Sequence, residues 1–188
     1  MTARLAAALT VLGLALTACS NPLAPKAEST PPQPTRPAPP ASTPTPSAAP
    51  ALQLGTPGTA ATQYVAASIT ALTYRQPLPG RRLPRTGYEW AGAEVETCMK
   101  RSTASIATVA VQAWALKLPD GSKVQPEEPE AKDYEVTLYP VTPRNIRPGD
   151  CVRGWAVYEV PGGKRATGIV YSAPNPDSPI APVTWAVG

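Results

Sequence analysis

The stretch CVRGWAVYEVPGG, residues 151 to 163, decides the fold of this chain. Its side chains alternate in character, and successive side chains of a β-strand point to opposite faces of a sheet. One face would carry Cys151, Arg153, Trp155, Val157 and Glu159; the other would carry Val152, Ala156, Tyr158 and Val160. The closing Pro-Gly-Gly is a turn signal. The stretch therefore predicts a long strand that ends in a tight turn.

The same period of two recurs on both sides of this strand. Runs rich in Val, Thr, Tyr and Trp predict strands at 62–74, 88–97, 108–118, 123–124, 134–139, 167–172 and 183–187. The motifs PDGS (119–122) and RPGD (147–150) are turns between them. Seven to nine short strands with regular turns predict an all-β, antiparallel sandwich, with the loops at 125–133 and 173–182 at its ends.

The N-terminus has the pattern of an export signal. Arg4 precedes an apolar run from Leu5 to Leu16, which is shorter than the roughly 20 residues of a membrane-spanning helix. Leu16-Thr17-Ala18-Cys19 resembles the bacterial lipobox. This resemblance implies cleavage before Cys19, lipidation of its sulfur, and anchoring in the cell membrane on the extracytoplasmic face. The alternative is an ordinary secretory signal with an incidental cysteine.

Composition divides the rest of the chain. Residues 20–50 contain 11 prolines among many Ser, Thr and Ala residues. Such a segment buries too little apolar surface to fold, so it predicts a disordered, extended stalk with a reach of at most about 90 Å. We therefore predict a signal peptide at 1–18, a lipidated cysteine and linker at 19–55, and a sandwich domain at 56–188.

The cysteines suggest one disulfide. Once Cys19 is assigned to lipid, Cys98 and Cys151 remain as a pair in an oxidising compartment. We expect their bridge to join an early strand to a late one across the two sheets. The alternative is a metal or catalytic thiol. The chain has no His and no second Cys near either residue, so a metal site has little support.

Charge and tryptophan placement leave two questions open. The domain carries 14 bases and 12 acids, so its charge does not indicate nucleic-acid binding. A local basic group consists of Arg75, Arg81, Arg82 and Arg85. These arginines belong either to a solvated loop or to a contact with anionic lipid headgroups or wall polymers. The strand runs also hold Trp90, Trp114, Trp155 and Trp185, which pack in the core or offer a stacking platform for a sugar.

Several of these segments resemble one family of small bacterial secreted domains. They are IRPGDCVRGWAVYEVPGG (146–163), IVYS (169–172), VTWAV (183–187) and the hairpin LPDGSKVQP (118–126). The family is grouped with the mycobacterial immunoprotective extracellular antigen. The resemblance implies an immunoglobulin-like β-sandwich without established biochemical activity, and it transfers no functional residue. Tyr158 stands where the family often has Phe.

Catalytic chemistry has few candidates. Without His, triads built on imidazole are excluded. Paired carboxylates remain, either Glu94 with Glu96 or the run of Glu127, Glu128 and Glu130. We predict no enzyme and no cofactor. The leading hypothesis is an envelope-anchored lipoprotein that presents a non-catalytic binding module to an unidentified envelope protein, glycan or lipid. The alternatives are an accessory subunit of a larger envelope assembly and, more remotely, a carboxylate-based hydrolase.

Overall fold

A computed structural model describes residues 49–103, 106–173 and 180–188, which belong to one compact unit. The predicted signal peptide, Cys19, the linker as far as residue 48 and residues 174–179 of the predicted 173–182 loop lie outside the described residues.

Ten strands account for most of the regular structure described. In chain order they are β1 (Gly58–Ala61), β2 (Val65–Arg75), β3 (Tyr88–Ser102), β4 (Ala107–Val109), β5 (Trp114–Lys117), β6 (Lys123–Val124), β7 (Arg144–Ile146), β8 (Cys151–Pro161), β9 (Gly168–Tyr171) and β10 (Val183–Ala186). Single turns of 3-10 helix lie at Val111–Ala113 and Ala131–Asp133.

The strands form two principal antiparallel sheets, which confirms the predicted all-β sandwich. The first sheet has the order β1-β2-β3-β8 and the second β10-β9-β5-β6, while β4 and β7 form a separate pair. Before β1, Leu52 already pairs in parallel with Trp185 of β10.

The main core lies between the two sheets. From the first sheet, Val95 of β3 and Tyr158 of β8 are fully buried. The second sheet contributes Trp114 and Trp185, which are equally inaccessible. Apolar residues at every second position of each strand supply this core, because alternate side chains of a strand face the same side. The two faces predicted for 151–160 are the faces observed.

A second apolar group covers the opposite, outward side of the first sheet. This outer cluster consists of Leu78, Trp90, Tyr134, Trp155 and Val157. Trp90 and Tyr134 meet edge to face with ring centroids 5.8 Å apart. All four tryptophans of the chain are therefore buried, two in the main core and two here. This arrangement supports the packing interpretation and leaves no open aromatic platform among them.

Two predicted strands differ from the structure. The run at 108–118 is divided into β4 and β5 by a 3-10 turn, where the chain passes from the small sheet to the second sheet. The run at 134–139 is not a strand: only Leu138 forms a bridge, to Trp155. Both runs alternate because both are half-buried, and burial alone does not produce continuous pairing with a neighbouring strand. The short strands β1 and β7 were not predicted.

The segment after β6 also differs from its predicted place. The loop at 125–133 was expected at an end of the sandwich, but the Glu127 N–H donates to the Val157 carbonyl at 2.8 Å. The segment therefore passes beside the middle of β8, and residues 137–139 return along the same strand. Together they satisfy backbone groups on the edge of the first sheet, which would otherwise be open to pairing with another chain.

The disulfide joins Cys98 to Cys151, with an S–S distance of 2.07 Å. The two cysteines are direct partners in the β3–β8 register, so the bridge lies within one sheet and not across the two sheets as predicted. The prediction was wrong because strands distant in sequence can be neighbours in a sheet. Closing a loop of this length stabilises the fold by about 4 kcal/mol in the chain-entropy treatment.

Gly154 permits the close approach of residues 137–139 to β8. A Cβ atom at this position would lie 2.5 Å from the Tyr139 nitrogen and 2.6 Å from the Leu138 carbonyl carbon. We predict that Gly154→Ala displaces this segment, weakens its two hydrogen bonds to Trp155, and lowers the free energy of unfolding by about 2–3 kcal/mol. Urea denaturation measures the change.

Gly188→Ala is the matched control, because nothing lies within 4 Å of the Cβ position there. If the two alanine variants unfold at the same urea concentration, the described approach of Leu138 to β8 is wrong.

Candidate functional site

The connection between β2 and β3, residues 76–87, is a long loop without regular secondary structure. It folds over the outward side of the first sheet, where Leu78 is buried in the outer cluster and its N–H donates to the Trp90 carbonyl at 2.8 Å. Further along, the Arg81 N–H donates to the Asp133 carbonyl at 2.8 Å. A buried leucine and backbone hydrogen bonds thus fix a loop that has no regular structure of its own.

Two of the predicted surface arginines lie against buried tryptophans. The Arg82 carbonyl accepts a hydrogen bond from Trp90 Nε1 at 2.8 Å, and its guanidinium lies 5.9 Å from the centre of that ring. The guanidinium of Arg75, at the end of β2, lies 5.3 Å from the Trp155 ring centre. Each cation is attracted to the electron-rich face of its ring, so both side chains also serve the packing of the outer cluster.

Arg85 pairs with a carboxylate that the fold buries. The side chain of Glu159 is only 6 % exposed; one oxygen accepts from the Arg85 N–H at 2.6 Å and the other from its guanidinium. Burial by itself would raise the pKa of Glu159, but the hydrogen bonds and charge of Arg85 outweigh it and hold that pKa below its ordinary value. The hydrogen bond to Glu159 is also the main reason that the pKa of Arg85 is raised.

The structure therefore places the four predicted arginines around one loop but gives three of them internal contacts. Arg81 is exposed, and among the described residues only its backbone is engaged. Acidic side chains lie nearby, since Glu130 contributes to the charge around Arg82 and pairs with Lys132. The contact of these arginines with an anionic surface stays a prediction.

Sequence reasoning missed two features of this loop. Leu83, between Arg82 and Arg85, is 84 % exposed, and no periodic pattern marks an isolated loop leucine. The ion pair of Arg85 with the buried Glu159 was missed because the two residues are far apart in sequence. A signal for it did exist, because Glu159 falls on the strand face that also carries Trp155 and Val157.

Carboxylates from both candidate groups contact other side chains. Glu94 forms an ion pair with Arg153 at 2.9 Å, and Glu96 adds to the charge around that same arginine. In the other run, Glu128 accepts from Gln112 Nε2 at 2.9 Å and Glu130 contacts Lys132. Both glutamates of the first pair therefore lie beside one arginine, and Glu94 binds it directly.

An apolar cleft of about 330 Å³ opens at the other end of β2 and β3. Its walls include Val65, Met99 and Tyr171, and its rim carries Tyr64 and Ile106, which are 54 % and 43 % exposed. Burial raises the pKa of Tyr171 to about 12, so its phenol stays neutral at physiological pH.

Neither a metal centre nor a membrane helix is found in the part of the chain that the structure describes. No group of three His, Cys, Asp or Glu side chains there is placed to hold a metal ion. No described helix combines the length and apolar character needed to cross a membrane.

Comparison with known proteins relates the fold to one solved structure. MPT63, a secreted protein from Mycobacterium tuberculosis, is 16 % identical, with a TM-score of 0.53 over 75 % of this chain and all of that one. A candidate lipoprotein from Bacillus subtilis, YcdA, is 17 % identical over 69 % of this chain and 38 % of its own length, with a TM-score of 0.49. No protein-family profile matches the chain, and no curated protein does either. The likeness to MPT63 is one of fold.

The Arg85–Glu159 pair predicts a pH-dependent stability. Glu159 has a folded pKa below its ordinary value of about 4.5, so its contribution is present above that value and is lost as the pH falls through the lowered pKa. We expect Glu159→Gln to destabilise the protein at neutral pH by about 1–3 kcal/mol, and this difference to shrink as the pH falls below the ordinary glutamate pKa of about 4.5. Urea denaturation across this range measures it.

The exposed Glu135→Gln serves as the control and should show little difference from the parent at either pH. A constant difference between Glu159→Gln and the parent protein across the whole range would mean that Glu159 is not charged in the fold.

Proposed function

We propose that the protein is an envelope-anchored lipoprotein whose immunoglobulin-like sandwich acts as a non-catalytic binding module outside the cytoplasmic membrane. The lipobox-like Leu16-Thr17-Ala18-Cys19 and the proline-rich stretch that follows support the tether. The ligand would be a protein, glycan or lipid of the envelope.

One observation carries the binding function. The β2–β3 connection is long and irregular, yet its Leu78 is buried and its Arg82 carbonyl is bonded to Trp90. A loop fixed in this way loses little conformational entropy when it binds, and recognition surfaces are commonly loops held by a rigid scaffold. The module would thus present a prepared surface at one end of the sandwich.

The carboxylates of the described residues favour binding over catalysis. Glu94, Glu128, Glu130 and Glu159 each have a cation or amide partner. A general acid needs a raised pKa, but the pKa values of Glu130 and Glu159 are lowered by their partners.

The tether is tested by replacing Cys19. We predict that Cys19→Ser moves the protein from the membrane fraction to the medium, because the attachment site of the acyl chains is lost. Immunoblots of fractionated native-host cells measure the distribution, and mass spectrometry of the parent protein detects the lipid. If Cys19→Ser remains in the membrane fraction as firmly as the parent, the proposed anchor is wrong.

A second candidate function is that of an accessory subunit in a larger envelope assembly. The observation that favours it is the apolar cleft with exposed Tyr64 and Ile106, since large apolar residues exposed together often mark a partner surface. Native mass spectrometry of gently solubilised protein separates the two functions. A binding module gives mainly the mass of the chain alone, whereas an accessory subunit gives a complex of constant stoichiometry.

A further inference from the structure

The tip of the β2–β3 connection holds an apolar side chain in water among arginines. Leu83 is 84 % exposed, which is more than any other large apolar residue described. Arg81 and Arg82 precede it, and Arg85 follows after one proline. In the free protein Leu83 buries almost none of its apolar surface, although the outer cluster lies only a few residues away in the chain.

Contacts on both sides of Leu83 keep it outside that cluster. On one side, the Arg82 carbonyl is bonded to Trp90 Nε1 at 2.8 Å. On the other, the Arg85 N–H is bonded to Glu159 at 2.6 Å. Only Leu83 and Pro84 lie between these anchored residues, so the chain has little freedom to turn the leucine inward.

Two further loops bring positive charge to the same end of the sandwich. The Gly162 N–H donates to the Gly87 carbonyl at 2.8 Å, and Lys164 contacts Asp120 at 3.0 Å, so the β8–β9, β2–β3 and β5–β6 connections meet. We call this end the basic pole. It carries Arg75, Arg81, Arg82, Arg85, Lys117, Lys123, Lys164 and Arg165.

Residues 75–89, 117–123 and 159–167, which form this end, contain eight bases and three acids, whereas the neighbouring segment 127–135 contains five acids and one base. Glu89 accepts from Gln76, Asp120 pairs with Lys164, and Glu159 pairs with Arg85. The acidic segment 127–135 lies on the Arg82 side of the pole. On the second sheet, Lys117 and Lys123 are exposed and stand directly opposite each other in the β5–β6 register. Like charges directly opposite each other destabilise a sheet, and an anionic partner would relieve their repulsion.

We propose that the basic pole docks on an anionic lipid bilayer, with its bases at the headgroup phosphates and Leu83 inserted between the headgroups. This inference rests on the proposed function, because the tether at Cys19 would keep the domain within reach of the membrane. A soluble polyanion would satisfy the bases but would leave Leu83 in water. A bilayer interface accepts both cations and an apolar side chain.

The test uses the chain from Ser20 to Gly188, which lacks the apolar leader and Cys19 and contains the whole described compact unit. Its fold and that of each variant are verified by thermal unfolding. Binding is measured by co-sedimentation with phosphatidylcholine vesicles that contain about one third phosphatidylglycerol, and with pure phosphatidylcholine vesicles. We expect binding only to the anionic vesicles, and we expect it to weaken when salt is raised from about 0.1 M to about 0.5 M.

Two variants test the apolar and the electrostatic contributions to vesicle binding. Leu83→Ser should weaken binding roughly tenfold through the lost apolar insertion, and Arg81→Glu roughly tenfold through charge reversal. The matched controls are Ile106→Ser and Lys100→Glu, which make the same changes at exposed positions of the other end. Both controls should bind as the parent does.

Two results would overturn the inference. The first is equal binding to neutral and anionic vesicles, or to neither. The second is a polyanion site, in which Leu83→Ser binds vesicles as well as the parent while Arg81→Glu loses both vesicles and soluble polyphosphate. Neither result bears on the Cys19→Ser fractionation, so that experiment tests the proposed tether independently.

Discussion

The antiparallel pairing of β3 with β8 is the constraint on which the rest of the structure depends. Eleven residue pairs, from Tyr88 with Pro161 to Cys98 with Cys151, hold these strands in register. This register places Val95 and Tyr158 in the main core and gathers Trp90, Trp155 and Val157 on the opposite side, where the outer cluster forms. It also brings the two cysteines together. A slip of one residue would exchange the two faces of one strand and destroy both apolar groups.

Burial on both sides of the first sheet explains how its long loop is held. A sheet with one solvated face would leave the β2–β3 connection without a surface to pack against. Here Leu78 enters the outer cluster, and Trp90 and Glu159, which project to the same side, bind the loop through Arg82 and Arg85. The same strands therefore build the scaffold and fix the loop. This is the physical basis for treating the basic pole as a prepared surface, while the likeness to MPT63 concerns only the fold.

Much of the fold could be predicted because alternation directly reports burial. The runs around 62–74, 88–97, 151–160, 167–172 and 183–187 all became strands, and the burial of the four tryptophans agrees with the packing interpretation. The prediction failed where a half-buried run is not continuously paired with a neighbouring strand. Residues 134–139 alternate because Tyr134 and Tyr139 enter different apolar clusters, but their neighbour β8 offers only a single bridge. The predicted arginines are at the candidate site, whereas Leu83 and the partner of Arg85 were not foreseen.

The sequence by itself determined the class of the fold, the faces of β8 and the lipobox-like segment at Cys19, because each depends on residues close together in the chain. The cysteine pair followed from the number of cysteines alone. Only the tertiary structure decided that the disulfide lies within one sheet, that Arg85 neutralises a buried Glu159, and that three distant loops form one basic pole. These features depend on which strands become neighbours. That choice follows from the combined packing of two apolar groups and cannot be read from any single run of residues.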